Sequence, residues 1–171
     1  MIQESSEYKI ISNYYGNRVA NRSRVPLINH IDEGLIVLDS IGAVTEETKR
    51  AFCLHPLFQS DDALLENAHL VSIIDPYVLF LTMEYRNTAN AYLSDKIDTN
   101  QRLTLSPISE VNQMLIADKV QNRKDFITYH KATHERAFAL NAYFIKWLDA
   151  LGISDSYYSM LCKRIDDART N

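Results

Sequence analysis

The chain is poor in residues that bend a backbone sharply, with only four glycines and four prolines among its 171 residues. An all-β protein, which has to reverse direction about every 8–12 residues, needs more of both, so the shortage favours helices. Cysteine is scarcer still. Cys53 and Cys162 lie far apart and form no C-x-x-C pair, which points to free buried thiols rather than a disulfide. A basic excess is also missing, because the formal charge is −4. A general nucleic-acid binder needs a basic surface to displace counterions from phosphates, and that class is set aside. A small anionic ligand needs only a local basic pocket. No apolar run reaches the ~20 residues of a membrane span, and the opening MIQESSEYKI lacks the basic and apolar regions of a secretion signal. The expectation is a cytoplasmic protein without a membrane partner. No Ser/Gly/Pro-rich linker, charge block or repeat divides the chain. With 46% of it apolar, residues 1–171 are expected to form one domain around one core.

What the sequence does have is helical periodicity. Ser5 or Ser6 caps a helix over 4–15 that places Tyr8, Ile11, Tyr14 and Tyr15 near one face. Residues 30–42 carry Ile31, Leu35, Leu38 and Ile41 at helical spacing, with Gly42 as the stop. The next helix begins at Thr45 with acids in its first turn, and it is expected to end at His55, because Pro56 disfavours α geometry before it. A short helix over 61–70 follows. Asp75 and Pro76 then read as cap and first residue of a helix reaching about Lys96. Residues 97–106 read as the longest loop, with the alternation in RLTL leaving a short strand open. Ser106-Pro107 starts a helix with Val111, Leu115 and Val120 facing inward. A long helix from Thr133 to Leu151 ends at Gly152, and a shorter one follows from Ser154. The expected fold is an all-α bundle of about eight helices. Tyr85, Tyr92, Tyr143, Phe144 and Trp147 are expected mostly in its core. His130 and His134 are four apart but lack the carboxylate of H-E-x-x-H, and read as a polar helix boundary.

Three stretches carry chemistry: VPLINHIDEG, AFCLHPLF and MLIADKVQNRKDF. Together they resemble the HD-domain scaffold, most closely the RelA/SpoT-type hydrolase domains and their small metazoan SpoT-like members, which remove pyrophosphate from guanosine tetraphosphate. The resemblance covers roughly residues 12–153. It implies an HD-like helical bundle in which a histidine, a His-Asp pair and a distant Asp hold one divalent cation. Pro26-Leu27-Ile28-Asn29-His30 is similar to the family's P-Y-I-x-H, which makes His30 a metal-ligand candidate. Ala117 to Asn122 is similar to A-D-K/R-x-x-N, which makes Asp118 a ligand and Asn122 a nucleotide contact. Tyr143-Phe144 is similar to a Tyr-Phe pair whose tyrosine lines the nucleotide pocket. Arg18 and Arg22 stand where the family has phosphate-binding residues.

CLHPLFQS departs from the family's L-L-H-D-x-x-E-D. His55 remains, but Pro56 stands in place of the ligand Asp, and Gln59 and Ser60 in place of the pair that positions and deprotonates water. An amide or hydroxyl orients water without taking its proton, and a placed general base contributes about 10²–10⁴ in rate. His30, His55 and Asp118 still number enough for a catalytic zinc with an open fourth position, with Asp61 or Asp62 as a substitute base. Lys119, Arg123 and Lys124 read either as a solvated helix face or, for Lys119, as a phosphate contact beside Arg18, Arg22 and Asn122. Arg24 and Lys124 are assigned to the solvated face.

The leading expectation is a nucleotide-binding protein whose ligand-binding residues are Arg18, Arg22, His30, His55, Gln59, Asp118, Lys119, Asn122 and Tyr143. It needs no catalytic residue and no cofactor. The chain is also similar to small HD-like proteins of bacteriophages, which implies sequestration of a nucleotide-derived immune signal as an anti-defence function. The alternative is a metal-dependent pyrophosphohydrolase of guanosine tetraphosphate or a related nucleotide, with Mn or Zn on His30, His55 and Asp118. A third option is a structural or interaction protein with a vestigial pocket. A homo-oligomer is compatible with each.

Overall fold

The computed structural model describes residues 1–21, 23–93 and 102–170, and among them the architecture is all-helical. Eight α-helices follow in chain order: α1 Ser6–Tyr15, α2 Asn29–Ile41, α3 Glu46–Phe58, α4 Asp61–Glu66, α5 Pro76–Asn90, α6 Ser109–Asp125, α7 Ala137–Ala150 and α8 Asp155–Arg169. One antiparallel bridge, Val19 with Pro26, closes the loop between α1 and α2. No strand forms over 102–105.

Side-chain caps fix most helix starts. The side chains of Ser5, Thr45, Ser60, Asp75 and Ser154 each accept a backbone N–H from the first turn they precede, an interaction worth about 1 kcal/mol apiece. α2 ends at Gly42, whose φ of 71° a side chain would strain.

Several boundaries differ from expectation. α3 does not stop before Pro56; it runs through it to Phe58. A proline inside a helix leaves the carbonyl four residues back without its N–H partner, and here that carbonyl belongs to Phe52. The His55 ring answers it, with Nδ1 2.6 Å from Phe52 O. The expected helix over 61–70 divides into α4 and a 3₁₀ turn at Ala68–Ser72. α5 ends at Asn90, short of Lys96, which lies outside the described residues. α6 continues into a π-helical turn, Phe126–His130, where Lys131 N donates to Phe126 O at 2.8 Å. The chain then turns through Arg136, whose N–H is accepted by His134 Nδ1, so α7 starts at Ala137 rather than Thr133. α8, expected to be the shorter of the last two helices, has 15 residues against 14 in α7.

The central packing pairs α2 with α6 and α3 with α5. Leu35, Leu38, Phe52, Leu54, Leu81, Met114, Leu115, Trp147 and Leu161 are buried in one hydrophobic cluster that draws on α2, α3 and α5 to α8. Val111, Leu115 and Val120 face inward as expected, as do Tyr85 and Trp147, while Tyr92 and Tyr143 pack at the core's edge. Both cysteines are free, Cys53 buried and Cys162 half-buried. No helix among the described residues is long and apolar enough to cross a membrane.

Candidate functional site

α2, α3 and α6 meet where His30, His55 and Asp118 converge. Gly34, one turn beyond His30, permits the approach, since a Cβ there would collide with the ring of Phe52 on α3. Phe52 in turn packs against both imidazoles, with ring centroids 5.9 Å from His30 and 4.7 Å from His55.

The proton positions on both rings follow from their partners. His55 Nδ1 faces a carbonyl, which only accepts, so this nitrogen carries the hydrogen. His30 Nδ1 lies 2.7 Å from Gln121 Oε1. The Gln121 amide is oriented by its other end, where Nε2 donates to Asp125 Oδ2 at 2.9 Å and Glu33 Oε2 at 3.3 Å. Two carboxylates accept only, so the oxygen must face His30, and His30 Nδ1 also carries a hydrogen. In its neutral form each ring would therefore direct its Nε2 lone pair into the cluster. The two Nε2 atoms stand 3.1 Å apart, a separation at which bare lone pairs repel unless a proton or a metal ion lies between them.

Asp118 completes the triangle. Its Oδ1 is 3.6 Å from His30 Nε2 and 3.8 Å from His55 Nε2. A tetrahedral zinc with bonds of about 2.0–2.2 Å separates its ligand atoms by roughly 3.3–3.5 Å, and the edges of this triangle bracket that span. Two imidazoles and a carboxylate are also the right donor chemistry for a divalent first-row ion, so the residues present fit a metal.

The surroundings set the charges. Burial, followed by the neighbouring His30, pushes His55 down to about 3, so it is neutral at physiological pH. Burial opposes ionisation of Asp118, yet the carboxyl is held well below the usual carboxylate range, with the Lys119 ammonium as the largest lowering influence. Lys119 Nζ lies 2.7 Å from Asp118 Oδ2. Burial disfavours the Lys119 charge, Asp118 outweighs burial, and the pKa is raised. Its ammonium also faces the rings of Trp147 and Tyr143 at 5.2 and 5.7 Å.

Other candidates take various positions. Asn122 Nδ2 donates to Asp118 Oδ1 at 2.7 Å, which makes it a clamp on the carboxylate. Gln59 caps the end of α3, and its carbonyl accepts from Asn90. It belongs to a groove of about 480 Å³ lined by Gln59, Ser60, Asp61, Arg86, Asn90 and Leu93. Arg18 turns back onto the end of α1, bonding the carbonyls of Tyr14 and Tyr15 and stacking on the Tyr14 ring. Arg22 lies outside the described residues. Asp61 is exposed and paired with Arg86, and Ser60 caps α4. Lys124, expected on a solvated face, is instead buried against Glu33 at 3.4 Å, because the end of α6 is covered by α8. Arg123 stacks on Tyr158 of α8.

Two residues of the site, Glu33 and Gln121, escaped the sequence reading, and Tyr85 was read there only as core. Glu33 stands three after His30 and Gln121 three after Asp118, so each shares a helix face with a ligand candidate. That spacing of polar residues within buried faces was the available signal. Tyr85 packs its ring 4.8 Å from His55. Burial and then Asp118 push its phenol well up, with Asp118 and Gln59 both beside the buried hydroxyl. Comparison with protein-family models, curated proteins and solved structures finds no match to this chain.

Proposed function

We propose that this protein binds a phosphate-bearing, nucleotide-derived ligand at a metal-assisted pocket around His30, His55 and Asp118, without efficient hydrolysis. The observation that carries the proposal is the gathering of two imidazole Nε2 atoms and one carboxylate oxygen at separations of 3.1, 3.6 and 3.8 Å. A divalent ion there would supply Lewis-acid attraction for phosphate oxygens. His30 is the accessible member, its side chain 21% exposed, whereas His55 is sealed. Lys119 adds a buried positive charge beside the triangle.

The resemblance to HD domains supports the nucleotide assignment, and the resemblance to phage proteins supports sequestration of a signalling nucleotide as its purpose. Weak hydrolysis follows from the residues at 56, 59 and 60. Proline has no ligand atom, Gln59 and Ser60 take no proton at neutral pH, and Ser60 is engaged as a cap. Asp61, exposed and held by Arg86, is a poor substitute base.

The test is incubation of the full chain with a nucleotide panel, with and without Mn²⁺, followed by mass spectrometry of the heat-released ligand and of the solution. Metal-dependent, stoichiometric recovery of an intact nucleotide is the expected result. Accumulation of pyrophosphate or a monophosphate over many turnovers contradicts it and establishes the second reading, a metal-dependent phosphohydrolase. That second reading is favoured by one feature, a three-donor set that leaves a coordination position open. Recovery of no nucleotide under either condition contradicts both.

A further inference from the structure

We propose that Glu33 and Gln121 are positioning residues that hold His30 in its ligand tautomer, and that α8 contributes to this through Arg169. The inference rests on the metal-assisted pocket proposed above. Its structural basis is a continuous chain of bonds that runs from the partly exposed Arg169 through the buried Glu33 and Gln121 to His30. Arg169 Nη1 donates to Glu33 Oε1 at 2.7 Å, and Lys124 Nζ approaches both oxygens of the same carboxylate at 3.4 Å. Glu33 Oε2 accepts from Gln121 Nε2, and Gln121 Oε1 meets His30 Nδ1. Glu33 is 2% exposed and Gln121 1%.

Each link determines the next. Glu33 and Asp125 present only acceptors, so they fix the Gln121 amide with its NH₂ toward them and its oxygen toward His30. That oxygen requires a hydrogen on His30 Nδ1. In the neutral ring, the lone pair then falls on Nε2, the atom facing His55 and Asp118. The opposite tautomer would place a hydrogen where the ion belongs. An outer partner that fixes a metal-bound imidazole in this way commonly contributes about 10–100-fold in metal affinity.

The geometry also accounts for a buried carboxylate that the core does not need. A buried ion pair is weak evidence of stabilisation, since well-packed apolar residues often do as well. Glu33 lies on the ligand-bearing face of α2, and Gln121 on that of α6, so the pair forms a second polar layer directly behind the donor triangle. Arg169, 136 residues from Glu33 along the chain, ties the last helix to that layer.

The experiment compares the full-length wild type with Gln121→Leu, Glu33→Leu, Glu33→Gln and Arg169→Leu. The readouts are the His30 tautomer in metal-free protein by long-range ¹H–¹⁵N NMR, Zn²⁺ affinity by chelator competition, and the melting temperature. In the wild type, His30 Nδ1 is expected to carry its hydrogen, whether or not a proton also bridges the two Nε2 atoms. Gln121→Leu and Glu33→Leu are expected to lose that uniform state and to weaken Zn²⁺ by about 10–100-fold. Glu33→Gln, which keeps an acceptor for the Gln121 amide, is expected to retain both. Arg169→Leu, at a partly exposed position, is expected to shift tautomer and affinity in the same direction, and it serves if a core variant fails to fold. Unchanged tautomer and affinity in folded Gln121→Leu or Arg169→Leu, with only the melting temperature lowered, overturns the proposal. If the wild type binds no Zn²⁺, the metal pocket fails separately, and the tautomer comparison alone decides the positioning role.

Discussion

At the scale of single residues, His55 and Pro56 act as a unit. Proline takes away the N–H that Phe52 O would accept from, and the preceding histidine restores a donor from its ring. The same bond leaves Nε2 free to act as a ligand. The two residues are therefore expected to be energetically coupled. His55→Ala should cost about 1–3 kcal/mol by orphaning a buried carbonyl, and less in a Pro56→Ala background, where the backbone amide returns. Urea unfolding of the double-mutant cycle should give a coupling of at least about 0.5 kcal/mol, and strict additivity would contradict the account. Lys119 supports a second residue-level prediction. Lys119→Met leaves Asp118 charged, buried and without its nearest cation, and should destabilise the protein by about 3–5 kcal/mol by the same measurement. A loss under 1 kcal/mol would mean that the pair is not sealed.

Individual motifs were readable at this scale where chemistry leaves a local pattern. P-L-I-N-H and A-D-K-V-Q-N pointed to His30 and Asp118, and the structure brings these two together with His55. Gln121 and Glu33 were not readable as partners of His30, because their roles depend on how α2 and α6 face each other. Pro56 misled for a related reason. The rule that a proline ends a helix holds unless another donor satisfies the freed carbonyl, and that donor was visible only in three dimensions.

At the scale of elements, helix starts were legible because capping is local. Thr45, Asp75 and Ser154 were each read from a short polar residue before a helical pattern, and Ser5 was one of two candidates at the first helix. The turn between α6 and α7 was not legible, since its buried Phe126 packs on Phe144 of α7, a contact outside the turn itself. The α2–α3 contact depends on Gly34. Alanine ordinarily gains about 1 kcal/mol over glycine within a helix, yet here its methyl group would strike the Phe52 ring, which is fully buried. Gly34→Ala is expected to lose about 1–3 kcal/mol through overpacking and to weaken Zn²⁺ binding by moving Phe52 against both histidines. Thermal melting and chelator competition check the two effects. A more stable variant with unchanged affinity would show that Phe52 can yield.

At the scale of the whole molecule, the buried cluster links stability to pH. Folded His55 has its pKa depressed to about 3 from an ordinary 6.5. Between those values the unfolded chain binds a proton that the folded chain does not, so stability falls as pH falls through that window. Asp118, also depressed, has the same sign at lower pH, since its contribution is lost as the carboxylate is protonated. The metal-free protein should therefore lose stability steadily below about pH 6.5, and His55→Asn should flatten that slope. Urea midpoints across pH 4–8 test this, and a wild-type midpoint that is level or rises toward acid would contradict it.

The all-helical class was also legible at this scale, from few glycines and prolines and sustained helical periodicity. The course of α8 over the end of α6, which buries Lys124, was not, since a basic residue near a helix end ordinarily lies in solvent. The account as a whole depends on the donor triangle being a metal site. The most direct test is the stoichiometry of Zn²⁺ bound by the full chain, measured by calorimetric titration alongside His30→Ala, His55→Ala and Asp118→Ala. One tightly bound ion per chain, lost in each variant, is the predicted result. No bound ion, or an ion retained by all three variants, would contradict it.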